Sequence, residues 1–326
     1  MKLTMLGWYG KRNIGDEAFK TAHALMFAGH ELTHVVEQVP EDSDCIILGG
    51  GDVVMPFYLK AIPAGRPFYV LGAGLGYESE VDHLANQPVK EAVLRNRADV
   101  RLAVSRGLCA TYAPDITFMI DMPKLATRKT PRQGRRKRAA VILSDHISPS
   151  PWHRDPRRLS YYDYMKWELA LSMDALADYY DFHWIPFSAD VNANDQRIHL
   201  DTFGRVERRR GAHRVHEYPG GPEAAIALLG DMDLVISMKY HGVLFATNLG
   251  VPFVNIGLSR KTQVFCEEQG LGDMGVAPFS LEKDRLLQVV KNAERGGVRE
   301  QLLEVAARNR SELQALTERL HAEWLA

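Results

Sequence analysis

The stretch Leu234-Val-Ile-Ser-Met-Lys-Tyr-His-Gly-Val-Leu-Phe-Ala-Thr-Asn-Leu-Gly-Val-Pro-Phe-Val-Asn-Ile-Gly257 admits few folds. Residues 234–236 are a short, wholly apolar run, which suits a strand buried on both faces of a parallel sheet. Residues 243–249 carry apolar side chains at helical spacing. Gly250 can end that helix, and Pro252 forbids its continuation. Residues 251–256 read as the next buried strand. Lys239 and His241 therefore fall where a strand's C-terminal end meets a helix N-terminus. Open α/β sheets bind ligands at that edge. The N–H groups of a first helical turn favour an anion, and a lysine and a histidine beside them strengthen the preference. The plainer alternative is a solvated Lys239 and a His241 that packs the turn.

A chain of 326 residues exceeds one ordinary core, and two domains are expected. A formal net charge of −1 gives no global attraction to nucleic acid or membrane. No apolar run reaches the ~20 residues that span a bilayer, and the opening Met1-Lys-Leu-Thr-Met-Leu-Gly7 reads as a strand, too short for a signal peptide. Cys45, Cys109 and Cys266 are few and far apart, as in reduced thiols of a cytoplasmic protein, and have no zinc spacing.

The chain from its start repeats one theme. Residues 2–6 form a strand that runs into Gly7-Trp-Tyr-Gly-Lys-Arg-Asn-Ile-Gly-Asp-Glu-Ala18, and residues 19–27 read as a helix. Gly7, Gly10 and Gly15 miss the dinucleotide spacing, so no nicotinamide cofactor is inferred. Asp16 suits a helix first turn, as a cap or as a functional carboxylate, and Asn13 a turn that bonds its own backbone. Residues 44–48 are a second strand, followed by Gly49, Gly50, Gly51 and Asp52; three glycines imply close approach by a ligand or by a neighbouring segment. Residues 67–71 and 100–104 read as further strands, the last followed by Arg106, whose guanidinium suits carboxylate or phosphate.

Residues 124–138 are basic, contain Pro131 and Gly134, and lack any acidic side chain. They read first as a solvated linker and second as a contact for nucleic acid or anionic lipid. A second α/β series follows: a strand at 139–143, a loop with Asp145, His146, Trp152 and His153, a helix at 161–180, a strand at 182–186, a helix at 192–203, a strand at 214–218 and a helix at 222–229. After the opening stretch, Arg260 and Lys261 start another helix at the same sheet edge as His241. The segment 298–325 carries Leu302, Val305, Ala306, Leu313, Leu316 and Leu320 on one helical face. The expected plan is an N-terminal Rossmann-like domain at 1–123, the linker 124–138, and a second Rossmann-like domain at 139–297 with the anion site. A helix at 298–326 packs back toward the first domain.

Together these pieces resemble the polysaccharide pyruvyl transferase family. The resemblance rests on the motif of residues 7–18, on Ile-Leu-Gly-Gly-Gly at 47–51, on Ser105-Arg106 with Asp121, and most on residues 233–246 with Gly250-Val-Pro252 and Lys261. It implies two Rossmann-like domains facing across a cleft, in the GT-B manner, with the domain at 1–123 on the acceptor side. It also implies transfer of pyruvyl from phosphoenolpyruvate to two hydroxyls of a sugar, as a ketal, with phosphate released and no cofactor. The acceptor would be a saccharide or lipid-linked saccharide, with peripheral membrane contact in the second case. The motif histidine maps to His241, the lysine to Lys261 and an arginine after the fourth strand to Arg106. The family usually has arginine where this chain has Lys239, and an arginine before an aromatic where this chain reads Ser144-Asp-His-Ile.

The chemistry is consistent with those residues. A small dianionic donor needs converging cations, here Arg106, Lys239 and Lys261. An imidazole, of ordinary pKa about 6.5, can protonate the donor's methylene carbon, which casts His241 as general acid. Asp16 or Asp52 would accept the proton of the attacking hydroxyl, with Asn13, Gly50 and Gly51 lining the substrate. Two other readings share the pattern: a GT-B glycosyltransferase with a nucleotide-sugar donor, and a non-catalytic sugar-binding relative.

Overall fold

The structure, a computed structural model, describes residues 1–75, 77–126, 136–147, 156–191, 193–208 and 210–325. The chain divides into two compact units. Unit 1 comprises Met1–Lys11, Gly15–Ile120 and Ala306–Ala326; unit 2 comprises Arg12–Ile14 and Asp121–Val305.

Unit 1 holds a parallel sheet of β1 (Lys2–Leu6), β2 (Glu31–Val35), β3 (Cys45–Gly51), β4 (Phe68–Ala73), β5 (Val89–Leu94) and β6 (Ala110–Tyr112). Its helices are α1 (Ile14–Met26), α2 (Pro56–Leu59), α3 (Glu80–Ala85) and α4 (Arg97–Ser105). The strand order is β2-β1-β3-β4-β5-β6, which reverses direction between β1 and β3. That point is where doubly wound sheets open a crevice.

Unit 2 begins with α5 (Met122–Leu125) and holds β7 (Lys137–Ile142), β8 (Tyr180–Trp184), the short pair β9 (Ala189–Asp190) and β10 (Ala193–Asn194), and β11 (His213–Val215). β12 (Leu234–Ser237), β13 (Phe253–Ile256) and β14 (Gly275–Val276) follow. The helices are α6 (Pro156–Leu176), α7 (Asp195–Phe203), α8 (Pro222–Gly230), α9 (Tyr240–Leu249), α10 (Arg260–Glu268), α11 (Lys283–Ala293) and α12 (Val298–Trp324). The main sheet runs β11-β8-β7-β12-β13-β14, all parallel. This is the Rossmann order, and its reversal falls between β7 and β12. Every residue of β12 and β13 is buried, which is why their sequences are nearly continuous apolar runs rather than alternating ones.

Two sequence expectations change. Residues 100–104, expected as a strand, lie inside α4. The segment Val-Arg-Leu-Ala-Val is too short to separate the two periods, and the buried Asp99 and Ala103, four residues apart, fix the helical one. The strand of this region is β5, just before it. The glycines 49–51 do not follow a strand but belong to β3. The edge strand β2, half exposed, gave no clear apolar pattern. From Ala306 onward α12 belongs to unit 1. There Arg319 binds Glu91 at 2.9 Å, and Trp324 donates to Glu91 at 2.8 Å while stacking on Tyr69 at 4.1 Å.

The described cations of the basic run are paired: Lys124 with Asp121, Arg136 with Asp181, Lys137 with Glu294 and Arg138 with Asp231. Residues 127–135, Trp152 and His153 lie outside the described residues. Among those described, no helix is long and apolar enough to cross a membrane.

Each unit buries a histidine completely: His23 in α1 and His199 in α7. Burial pushes both imidazoles down from 6.5 to about 3. The unfolded chain therefore binds protons that the folded chain refuses. Stability is full above pH ~6.5 and drains as pH falls toward 3, by up to about 1.4 kcal/mol per pH unit for each group. Urea titrations at pH 7, 6 and 5 should show a falling midpoint, and His23→Leu should flatten the slope.

Candidate active site

β12 ends at Ser237, and Met238 and Lys239 carry the chain into α9. Lys239 is the N-cap residue, with extended backbone at φ −94° and ψ 135°. Ser237 fixes the turn: its Oγ donates to the Lys239 carbonyl at 2.9 Å and accepts from the Lys239 N–H at 3.0 Å. Gly242 then lets α9 settle onto this turn. A Cβ there would lie 2.3 Å from Ser237 Oγ and 3.0 Å from Ile142 Cδ1, so a larger residue displaces the helix. Gly250 closes α9 in the left-handed region at φ 65°, where glycine carries no steric penalty.

His241 is the second residue of α9 and is partly buried. Its ring meets Tyr240 edge-on at 5.1 Å between centroids and Phe245 at 6.1 Å. The buried Tyr240 also meets Phe265 of α10 at 6.2 Å. Lys261, in the first turn of α10, places Nζ 5.8 Å from the Tyr240 ring centroid, within cation–π range. The parallel pairing of β12 and β13 starts these two helices side by side. His241 and Lys261 are thus brought together on one aromatic ring. Sequence reasoning passed over Tyr240 because an aromatic at a helix start reads as ordinary packing.

The charge of Lys239 is matched by a residue that sequence reasoning also missed. Its Nζ lies 3.0 Å from Oδ1 of Asp195, whose side chain is wholly buried. Asp195 further accepts from the N–H groups of Asp145 at 3.1 Å, Phe187 at 3.2 Å and Ser188 at 2.7 Å. Burial raises the Asp195 carboxyl, against the opposing pull of Lys239 and the backbone donors. Lys239 is therefore held by a carboxylate rather than presented as an open anion clamp. In sequence, Asp195 is indistinguishable from any acidic residue opening a helix capped by Asn194, whose side chain accepts from Gln196 N–H. One turn on, His199 Nε2 accepts the Leu143 N–H at 2.9 Å, which puts the neutral ring's proton on Nδ1. Asp145 follows β7 and is buried; its Oδ2 accepts from Asn194 N–H at 3.2 Å and from Arg197 Nη2 at 3.1 Å. Within unit 2, Asn13 forms a backbone bridge with Ser188, and Ile14 N–H donates to the Phe187 carbonyl at 2.8 Å.

In unit 1 the glycine motifs meet at the β1/β3 reversal. A Cβ at Gly7 would lie 2.7 Å from the Gly49 carbonyl, and one at Gly50, whose φ is +80°, would lie 2.4 Å from the Phe19 ring. The close approach predicted for these glycines is thus made by the chain itself, from α1. Glu17 accepts from the N–H groups of Gly10 at 2.6 Å and Lys11 at 3.1 Å and so shapes the loop. Asp16 Oδ1 sits 3.3 Å from where a Gly51 Cβ would be. Asp52 pairs with the buried Arg95 at 2.5 Å, and Arg95 also lies 3.4 Å from Asp115. Arg95 directly follows β5, and Gly74 makes room for its guanidinium, 2.6 Å from a Cβ placed there.

The profile of the polysaccharide pyruvyl transferase family matches residues 3–260. The chain belongs to that family. It is accordingly a transferase. A comparison with curated proteins returned no match. Solved structures share its architecture. The Neisseria meningitidis UDP-GlcNAc 2-epimerase bound to UDP-GlcNAc superposes with a TM-score of 0.62 at 13% identity, over 99% of this chain and 100% of that one. S. aureus MnaA with UDP gives 0.66 at 10%, over 98% and 96%. Apo OtsA gives 0.52 at 11%, over 85% and 73%. At these identities the likeness is one of fold, the GT-B fold of two Rossmann-like units.

For this pyruvyl transferase family member the site residues expected from sequence separate. His241 and Lys261 converge, although Lys261 lies one residue beyond the family match. Lys239 is committed to Asp195, and Asp52 to Arg95. Arg106 is corrected: it is the C-cap of α4, exposed, and paired with Asp82 at 2.9 Å. The arginine that follows a sheet strand is Arg95. Asp195→Ala would leave the mostly buried Lys239 charge unmatched, and a loss of about 3–5 kcal/mol is expected. Adding Lys239→Met should recover part of it, as read by urea midpoints of the single and double variants.

Proposed function

We propose that this chain transfers the pyruvyl group of phosphoenolpyruvate to two hydroxyls of a saccharide, free or lipid-linked, forming a cyclic ketal and releasing phosphate. The observation that carries the proposal is the convergence of His241 and Lys261 on Tyr240, at the N-termini of two helices that follow adjacent parallel strands. Two helix N-termini and a lysine suit a donor bearing carboxylate and phosphate.

In this mechanism His241 gives a proton to the donor's methylene carbon, and positive charge develops at the neighbouring carbon. One sugar hydroxyl attacks that carbon, phosphate leaves with the C–O bond pair, and a second hydroxyl closes the ketal. Two hydroxyl protons are lost; one restores the imidazolium and one goes to phosphate. Lys261 holds the donor's anionic oxygens. A cytoplasmic setting fits three free thiols, of which burial pushes Cys45 up to about 11 and Cys266 to about 12.

A nucleotide-sugar donor is the second reading. It is favoured by the fold shared with the N. meningitidis epimerase bound to UDP-GlcNAc. Thermal shift separates the two, because a donor at 100 times its Kd stabilises by about 2.7 kcal/mol. Stabilisation by phosphoenolpyruvate and none by UDP or GDP is expected. His241→Ala should slow phosphate release about 10²–10⁴-fold, and Lys261→Ala should raise the donor KM about tenfold or more. Near-normal turnover in His241→Ala would remove that residue from the reaction.

A further inference from the structure

Oδ1 of Asp145 is buried and has no hydrogen-bond partner among the described residues. The residue is only 8% exposed. Leaving a buried carboxylate oxygen unsatisfied is costly, and its surroundings hold the side chain in place rather than letting it turn away. Oδ2 takes the Asn194 N–H and the Arg197 guanidinium. The backbone N–H donates to Asp195 Oδ1, the same oxygen that Lys239 Nζ approaches. One buried oxygen therefore ties the backbone of Asp145 to the N-cap of the helix that carries His241. β7 and β12 are neighbours at the reversal of strand order, so Asp145 lies at the sheet edge where this fold places ligands.

We propose that Asp145 is the carboxylate that binds an acceptor hydroxyl and takes its proton, the role that sequence reasoning gave to Asp16 or Asp52. The inference rests on the ketal-forming reading above. In the step, the hydroxyl O–H bond breaks, its proton passes to Asp145 Oδ1 and from there to the departing phosphate, and the oxygen's electron pair forms the new C–O bond to the cationic carbon of the donor. Asp52 is already matched by Arg95, whereas Asp145 has one oxygen anchored and one that is buried without a hydrogen-bond partner among the described residues.

The test compares wild type, Asp145→Asn and Asp145→Ala. Melting temperatures establish that each variant folds, phosphoenolpyruvate is titrated by thermal shift, and phosphate release is followed with methyl β-D-galactopyranoside and methyl β-D-mannopyranoside as acceptors. The expected result is unchanged donor stabilisation in Asp145→Asn, phosphate release at least about 100-fold slower, and partial rescue of Asp145→Ala by formate. Phosphate release within threefold of wild type in Asp145→Asn overturns the proposal, as does loss of donor stabilisation in that variant. If phosphoenolpyruvate fails to stabilise the wild type, the donor reading falls separately. Glycoside binding, measured by NMR titration, then decides: a tenfold weaker affinity in folded Asp145→Asn upholds the hydroxyl site, and an unchanged affinity removes it.

Discussion

Asp195 is a carboxylate taken fully out of water, and unit 2 is arranged around keeping it satisfied. Burial of such a charge is unfavourable by several kcal/mol unless donors surround it. Here Lys239 and the N–H groups of Asp145, Phe187 and Ser188 supply them. Those four donors come from the start of α9, the turn after β7 and the segment after β8. A single side chain thus fixes three loops at the edge of one sheet. His241 owes its position to this arrangement, because the N-cap of its helix is the lysine that Asp195 holds.

Two small residues complete the geometry. Ser237 closes the turn by bonding both polar groups of the Lys239 backbone, and Gly242 allows the helix to descend onto that serine. The N-terminus of α9 then lies beside that of α10, with Tyr240 filling the space between His241, Lys261 and Phe265. Partial positive charge at both helix ends and the ammonium of Lys261 act in the same direction. In unit 1 the glycines serve packing: Gly7 and Gly50 admit the Gly49 carbonyl and the Phe19 ring.

Much of this was legible in the sequence. The run from Leu234 to Gly257 carries strand, turn, helix, stop and strand in order, and each boundary falls within a few residues of the observed one. The pairing of His241 with Lys261 followed from their places after consecutive strands. The arginine did not. Residues 100–104, Val-Arg-Leu-Ala-Val, are too few to distinguish strand from helix, so the sequence pattern puts Arg106 at a strand end and gives no signal for Arg95, the buried arginine after β5. Asp145 and Asp195 were equally hidden. Their importance lies in what surrounds them, 50 residues apart in sequence and one hydrogen bond apart in space.

The sequence by itself determined the α/β class, the family motif and the two helix starts that bear His241 and Lys261, because apolar periodicity, glycine and proline act locally. Only the tertiary structure decided which charges are open. Lys239 and Asp52 look available as letters, yet each is matched by a partner brought from a distant segment, Asp195 and Arg95. Asp145 looks like a loop acid, yet packing leaves one of its oxygens buried and without a hydrogen-bond partner among the described residues. Charge availability depends on distance and burial, and neither is written in the order of residues.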